Sequence, residues 1–181
     1  CYRSSQDELA EINNPKLHLL QWDVCEDKPD NFIEQVGLSE TIDLLINNAG
    51  IYGPKKADAQ SLDAVSPETM HEVFDVNCVG ALRVTQRLVS KVIKAKGIIA
   101  NISSKMGSSD DNSSGGCYAY RAAKAALVIV SKSMAVDLAP YGIRVVTLHP
   151  GWVSTRMVDY SGLIEVDESV SGMTKVIADI D

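Results

Sequence analysis

The sequence predicts an α/β fold built on a parallel sheet, and three observations predict it. Short β-branched runs end in turn residues at 17–24 (LHLLQWDV), 42–50 (IDLLINNAG), 97–104 (GIIANISS) and 143–151 (IRVVTLHPG). Longer stretches with helical period lie between them, the alternation expected of parallel strands joined by crossover helices. The third observation is size: 181 residues, 45% apolar and 23% charged, match one globular domain over 1–181 with a sizeable core.

Composition narrows the function. No apolar run approaches the roughly 20 residues of a membrane helix. The net charge of −7 and the lack of any Lys/Arg-rich run argue against nucleic acid and membrane surfaces as partners. Cys1, Cys25, Cys78 and Cys117 form no CxxC pair and stand at no zinc-ligand spacing from a His, so no metal is expected. They read as reduced thiols of a cytoplasmic protein. The opening CYRSSQDELAEI is polar from its third residue and has no secretory pattern. It lacks an initiator Met, so further sequence is expected upstream.

The first long helix is predicted over about 66–96. Ser66 suits the N-cap, Pro67 the first helical position, and Glu68 complements the helix dipole. Met70, Phe74, Asn77, Ala81, Val84, Leu88 and Val92 follow steps of three and four and make one face. Asn77 is the polar member of that face. A buried amide must be partnered or costs roughly 1–3 kcal/mol, and periodicity alone leaves open a core amide or a functional one. Residues 107–116 (GSSDDNSSGG) read as a loop. A second helix is predicted over about 116–139, closed by Pro140 and Gly142. Tyr120, Lys124, Leu127 and Ser131 share one stripe of it. The region 158–181 has several polar residues and few anchors.

Tyr120 and Lys124 stand one helical turn apart. A free phenol titrates near 10, and a cation one turn away is expected to lower it by roughly 1–3 units toward useful proton exchange. Ser104 closes a predicted strand, at the carboxyl end where open α/β sheets hold ligands. Asn47 and Asn48 close the preceding strand ahead of Ala49-Gly50, and Pro150-Gly151 follow the last. The small residues permit close approach of a ligand to the backbone.

NNAG (47–50), Asn77 in VNCVG, the serines 103–104, YAYRAAK (118–124) and HPGWVSTRM (149–157) occur together, in order and correctly spaced. With these motifs the chain resembles the short-chain dehydrogenase/reductase family over nearly its whole length. The interval SSKMGSSDDNSSGGCYAYRAAKAAL is most similar to the carbonyl-reductase subgroup that includes sniffer and the C-factor-like proteins. The resemblance implies a Rossmann-like doubly wound parallel sheet. It also implies reduction of a small-molecule carbonyl by hydride from NADPH, with NADP preferred over NAD. Tyr120 would be the general acid, Lys124 would depress its pKa and hold the nicotinamide ribose, and Ser104 would hydrogen-bond the carbonyl. Asn77 would hold a relay water to Lys124 and fix a local helix kink. Asp23 and Val24 would contact adenine, and Asn48, Ala49 and Gly50 would line the adenosine ribose. Pro150, Gly151, Val153 and Thr155 would flank the carboxamide. Arg3 would pair with the 2′-phosphate of NADP. Ala123 replaces the family's usual Ser, removing one hydroxyl near the ribose. Trp152 and Met106 would border a pocket for an apolar carbonyl compound.

Measured against the family, the sequence contains no GxGxxG-like run to seat a pyrophosphate. The family's first two strands and its last strand are expected to be missing, which would leave the strand at 17–22 without a neighbour and sheet edges exposed. An alternative function follows: a truncated, inactive relative that acts as an interaction module, with the homodimer helices at 67–95 and 116–139. An epimerase or dehydratase on the same fold would need a larger C-terminal substrate region. The 181-residue chain is therefore expected to bind NADPH poorly or not at all. Calorimetric titration should show no saturable heat, and a micromolar dissociation constant would refute the expectation.

Overall fold

The computed structural model describes residues 11–27, 40–56 and 58–180. Three parallel strands, β1 (Leu44–Asn47), β2 (Ile98–Ile102) and β3 (Arg144–Leu148), form a sheet in that order. The register sets Leu45 beside Ile99 and Ile99 beside Val145 on one face. Between the strands run α1 (Pro67–Phe74), α2 (Gly80–Ala95) and α3 (Tyr118–Leu138); α4 (Val166–Ala178) follows β3. The core forms where Leu45, Ile99 and Val145 meet Val84, Leu88 and Val92 of α2, with Trp22 and Ile143 closing it.

A row of buried amides and hydroxyls fixes both long helices on that face. Asn47 Nδ2 donates to Thr85 Oγ1 of α2 at 3.1 Å and to Asn101 Oδ1 at 2.8 Å. Asn101 Nδ2 donates to Ser131 Oγ of α3 at 2.8 Å, and the Ser131 hydroxyl donates to the Leu127 carbonyl at 2.6 Å. Asn101 is fully buried, so each unmade bond in this chain would carry a desolvation cost of about 1–3 kcal/mol. Leu44 and Ile46 point to the opposite face and remain 40% and 50% exposed.

Several expectations change. Residues 17–24 form no strand; a single bridge residue, Gln21, remains. The segment is instead anchored by Trp22, buried in the core with its indole N–H donating to the Glu26 carbonyl at 3.1 Å. The helix predicted over 66–96 does start as read, with Ser66 Oγ accepting from Thr69 N at 3.2 Å and Pro67 in the first turn. It is then interrupted by a π-helical turn at Asp75–Val79. Asn77 lies buried within that turn, and π-turns concentrate at functional sites. The second helix starts at Tyr118 rather than 116, because Gly115, Gly116 and Cys117 all take positive φ (64°, 63° and 51°). Three left-handed residues in a row cannot propagate a right-handed helix. Helix α4, in the region read as poorly anchored, carries Val166, Val170, Met173 and Ile177 at helical spacing, with Asp167 and Glu168 in its first turn and Lys175 in its last.

Among the described residues, no helix is long and apolar enough to cross a membrane, and no three His, Cys, Asp or Glu side chains converge to hold a metal. Cys25, Cys78 and Cys117 are free thiols.

Candidate active site

The ends of β2 and β3, the loop after β1 and the first turns of α3 converge on a cleft of about 900 Å³. The two serines at the end of β2 separate there. Ser103 is buried; its backbone N–H donates to the Leu148 carbonyl at 2.7 Å, and its hydroxyl donates to the Lys124 carbonyl at 3.0 Å. It fastens β2 to β3 and α3. Ser104 opens the 3₁₀ turn Lys105–Gly107, and its Oγ accepts from Met106 N at 3.1 Å. Ser104 also stands beside the Tyr120 phenol, where its hydrogen bond favours the phenolate. Gly107 allows this closeness: a Cβ there would lie 2.7 Å from the Lys124 carbonyl carbon and 2.8 Å from Ala125 N. The Ser104 turn therefore rests directly on the backbone of α3.

Tyr120 and Lys124 are both buried side chains on the cleft wall. The ammonium stands 5.7 Å from the centre of the Tyr120 ring and donates to the Ile102 carbonyl at 2.8 Å. Burial pulls the Lys124 ammonium down to about 8, opposed by the neighbouring Cys78 thiol. Burial raises the Tyr120 phenol above its ordinary value, opposed only by the Ser104 hydrogen bond. The expected depression of the phenol by Lys124 is thus not what this arrangement gives. The ammonium is anchored on a strand carbonyl, and desolvation outweighs its field at the phenol. A protonated phenol at neutral pH is the form that donates a proton.

Asn77 uses its amide on the loop after β1. Ile51 N donates to Asn77 Oδ1 at 2.8 Å, and Asn77 Nδ2 donates to the Ile51 carbonyl at 2.7 Å. The π-turn thereby holds that loop in place, and Gly50 lies against it: a Cβ on Gly50 would come 3.0 Å from Asn77 Oδ1 and 3.5 Å from Lys124 Nζ.

Asn48, Gly50, Ser104, Tyr120, Lys124, Pro150, Gly151, Val153 and Thr155 all line the cleft. Asn77 is buried behind that lining, and Ala49 is exposed and outside it. Asp23 and Val24 are not brought to it. Asp23 accepts from Cys25 N at 3.0 Å, and Val24 packs on Gly80 and accepts from Arg83. Arg3 lies outside the described residues. Sequence reasoning missed Tyr52, Lys55, Met157 and the α4 residues Val166, Ser169, Val170 and Met173, which complete the wall. Ser169 Oγ donates to the Pro150 carbonyl at 2.6 Å, and a bridge between Val153 and Ile164 brings the chain back to the cleft. The four-residue steps of α4 were the available signal for its part; nothing local marks Tyr52.

A family model described as short chain dehydrogenase matches residues 3–163. The chain is 42% identical over 137 residues to the C-signal of Myxococcus xanthus, covering 75% of this chain and 80% of that protein. The carbonyl reductase Sniffer of D. melanogaster superposes with a TM-score of 0.85 at 33% identity, over 96% of this chain and 75% of that one. An NADPH-bound carbonyl reductase from chicken fatty liver superposes with a TM-score of 0.79 at 30% identity, over 97% of this chain and 74% of that one. Other dehydrogenase and reductase relatives are longer, and the chain spans 49% to 59% of their length.

The buried ammonium has a consequence for stability. Its folded pKa, about 8, lies below the ordinary 10.5 of lysine. Between those values the unfolded chain binds more protons than the folded one, so stability rises with pH across that window. The Lys124 contribution is lost as pH falls through 8. Urea unfolding at pH 8 and pH 10 should show the wild type gaining stability relative to Lys124→Met over that interval. Parallel pH profiles for the two proteins would contradict the assignment.

Proposed function

Because the chain belongs to the short-chain dehydrogenase family, we propose that its cleft reduces an apolar carbonyl compound to the alcohol, with Tyr120 as general acid and NADPH as cofactor. The observation that carries this reading is the grouping of Ser104, Tyr120 and Lys124 on one wall of the cleft, with the phenol held protonated.

The residues present suit the nicotinamide half of the cofactor. Lys124 has three donors and places one on Ile102, which leaves two for the hydroxyls of a ribose. Pro150, Gly151, Val153 and Thr155 would flank the carboxamide, and Asn48 and Gly50 face the same cleft. Asn77 would hold its relay water from behind the lining, and Ala49, Asp23, Val24 and Arg3 would belong to the adenosine half. When bound, NADPH supplies the hydride that reduces the carbonyl carbon.

The chain's own groups supply the rest. The carbonyl oxygen accepts from the Ser104 and Tyr120 hydroxyls, and both bonds strengthen as negative charge gathers on that oxygen. The Tyr120 proton passes to it, leaving a phenolate that the Lys124 ammonium stabilises. Met106, Trp152, Met157, Val158, Val170 and Met173 make the outer wall apolar, which favours an apolar substrate and excludes water from the transfer.

A second reading concerns assembly. On α3, Tyr118, Ala122, Ala125 and Ile129 follow steps of three and four on an exposed face, which Val136 continues two turns on, with Ile129 63% and Val136 61% exposed. Such a stripe suits pairing of two copies through α2 and α3. This pairing is also the face an inactive relative would use as an interaction module.

In the full-length protein, Tyr120→Phe should remove turnover of an aromatic ketone, and Ser104→Ala should lower kcat by about 100-fold or more. Undiminished turnover by Tyr120→Phe would overturn the reductase reading. For the assembly, Ile129→Glu should convert a sedimenting dimer into a monomer, whereas an unchanged sedimentation coefficient would rule out this face.

A further inference from the structure

We propose that Gln60 is a positioning residue of this site, an inference that rests on the reductase reading above. Helix α3 begins with backbone N–H groups that have no partner inside the helix. Its own N-cap, Cys117, sits at a φ of 51° and supplies no side-chain cap. The cap comes from Gln60, far away in sequence. Tyr118 N donates to the Gln60 carbonyl at 3.4 Å, and Tyr120 N donates to Gln60 Oε1 at 3.2 Å. The other end of the same amide, Nε2, donates to the Tyr52 carbonyl at 2.8 Å. Gln60 is only 5% exposed and lies outside the cleft lining, so it touches neither substrate nor cofactor.

One amide thus ties the backbone of Tyr120 to the loop that follows β1. That loop is fixed independently one residue earlier, where Asn77 holds both backbone groups of Ile51. The tie also holds the Tyr52 ring 5.0 Å from the Tyr120 ring. The Tyr52 hydroxyl in turn lies 2.8 Å from Cys117 Sγ, which closes a loop of contacts around the start of α3. The position calls for an acceptor and a donor at once, at opposite ends of one planar group of this length. Glutamine supplies both; an ionised glutamate supplies the acceptor alone, and methionine supplies neither. The distance between the Tyr120 phenol and the floor of the cleft is set through this side chain. Misplacing a reacting group by about 1 Å can lower the rate by about 100-fold.

The test uses the full-length protein labelled with ¹³Cζ-tyrosine, with the Tyr120 resonance assigned by its loss in Tyr120→Phe, together with steady-state reduction of an aromatic ketone by NADPH. Gln60→Met should lower kcat by about 10- to 100-fold while KM for NADPH stays within about twofold, because cofactor contacts are untouched. The Tyr120 resonance should shift and broaden. Gln60→Glu should restore part of kcat through its acceptor, and its charge should move the Tyr120 titration upward. If Gln60→Met fails to fold, Gln60→Glu decides by the same two readings. Wild-type kcat and an unmoved Tyr120 resonance in the folded variant would overturn the proposal. If the wild type itself shows no turnover, the reductase reading falls, while the resonance still reports whether Gln60 holds Tyr120.

Discussion

Lys124 is a charged group buried almost completely beneath the cleft, and the surrounding structure is organised by what such a charge demands. A desolvated ammonium needs an acceptor, and β2 provides one in the Ile102 carbonyl at 2.8 Å. That bond fixes the register of α3 against the end of β2, which in turn sets Tyr120 beside Ser104. The cost of burial appears in the lysine itself, which is drawn down to about 8. It also appears in the phenol, which burial raises instead of the cation lowering it. In the proposed reduction the pair would serve as a held acid beside a held cation, and the charge at Tyr120 would gain from the cation only once the phenol had given up its proton.

Amide side chains perform the remaining positioning. Asn47 and Asn101 link β1 and β2 to α2 and α3 within the core. Asn77 grips both backbone groups of Ile51. Gln60 grips Tyr52 and Tyr120. Asn101, Asn77 and Gln60 each use donor and acceptor together, and Asn47 donates twice, so each joins segments that are distant in the chain. A set of rigid, fully satisfied amides holds geometry more narrowly than apolar packing, which tolerates small slips. This explains why a cleft with a largely apolar outer wall has a polar, tightly tied inner one.

The outer wall is built from elements with looser ties. Helix α4 reaches the cleft through Ser169 and its bond to the Pro150 carbonyl. An exposed ion pair, Lys55 to Asp159 at 2.6 Å, joins the loop after β1 to the turn at Arg156–Val158. Exposed pairs contribute little to stability, so changes of shape at this rim would cost the fold least. The division of labour is physical: fixed chemistry on the sheet ends, variable shape on the segments after β3.

Much of this was legible in the sequence. The runs at 42–50, 97–104 and 143–151 gave three strands because β-branched residues next to turn formers have little other choice. Ser66-Pro67 marked a helix start, and the four-residue step from Tyr120 to Lys124 placed both on one face. These are local properties, set by covalent geometry and helical period. The rest depended on partners distant in the chain. Residues 17–24 have strand composition, yet only Gln21 makes a bridge, and the segment is held by Trp22 buried in the core. The family resemblance placed a helix kink at Asn77, but its partner, both backbone groups of Ile51 in the loop after β1, was not readable from the sequence. The phenol was expected to fall because a cation stood nearby, whereas burial, which no spacing reveals, raised it. Gln60 carries no local signal, because its role exists only once the loop after β1 and the start of α3 have been folded together.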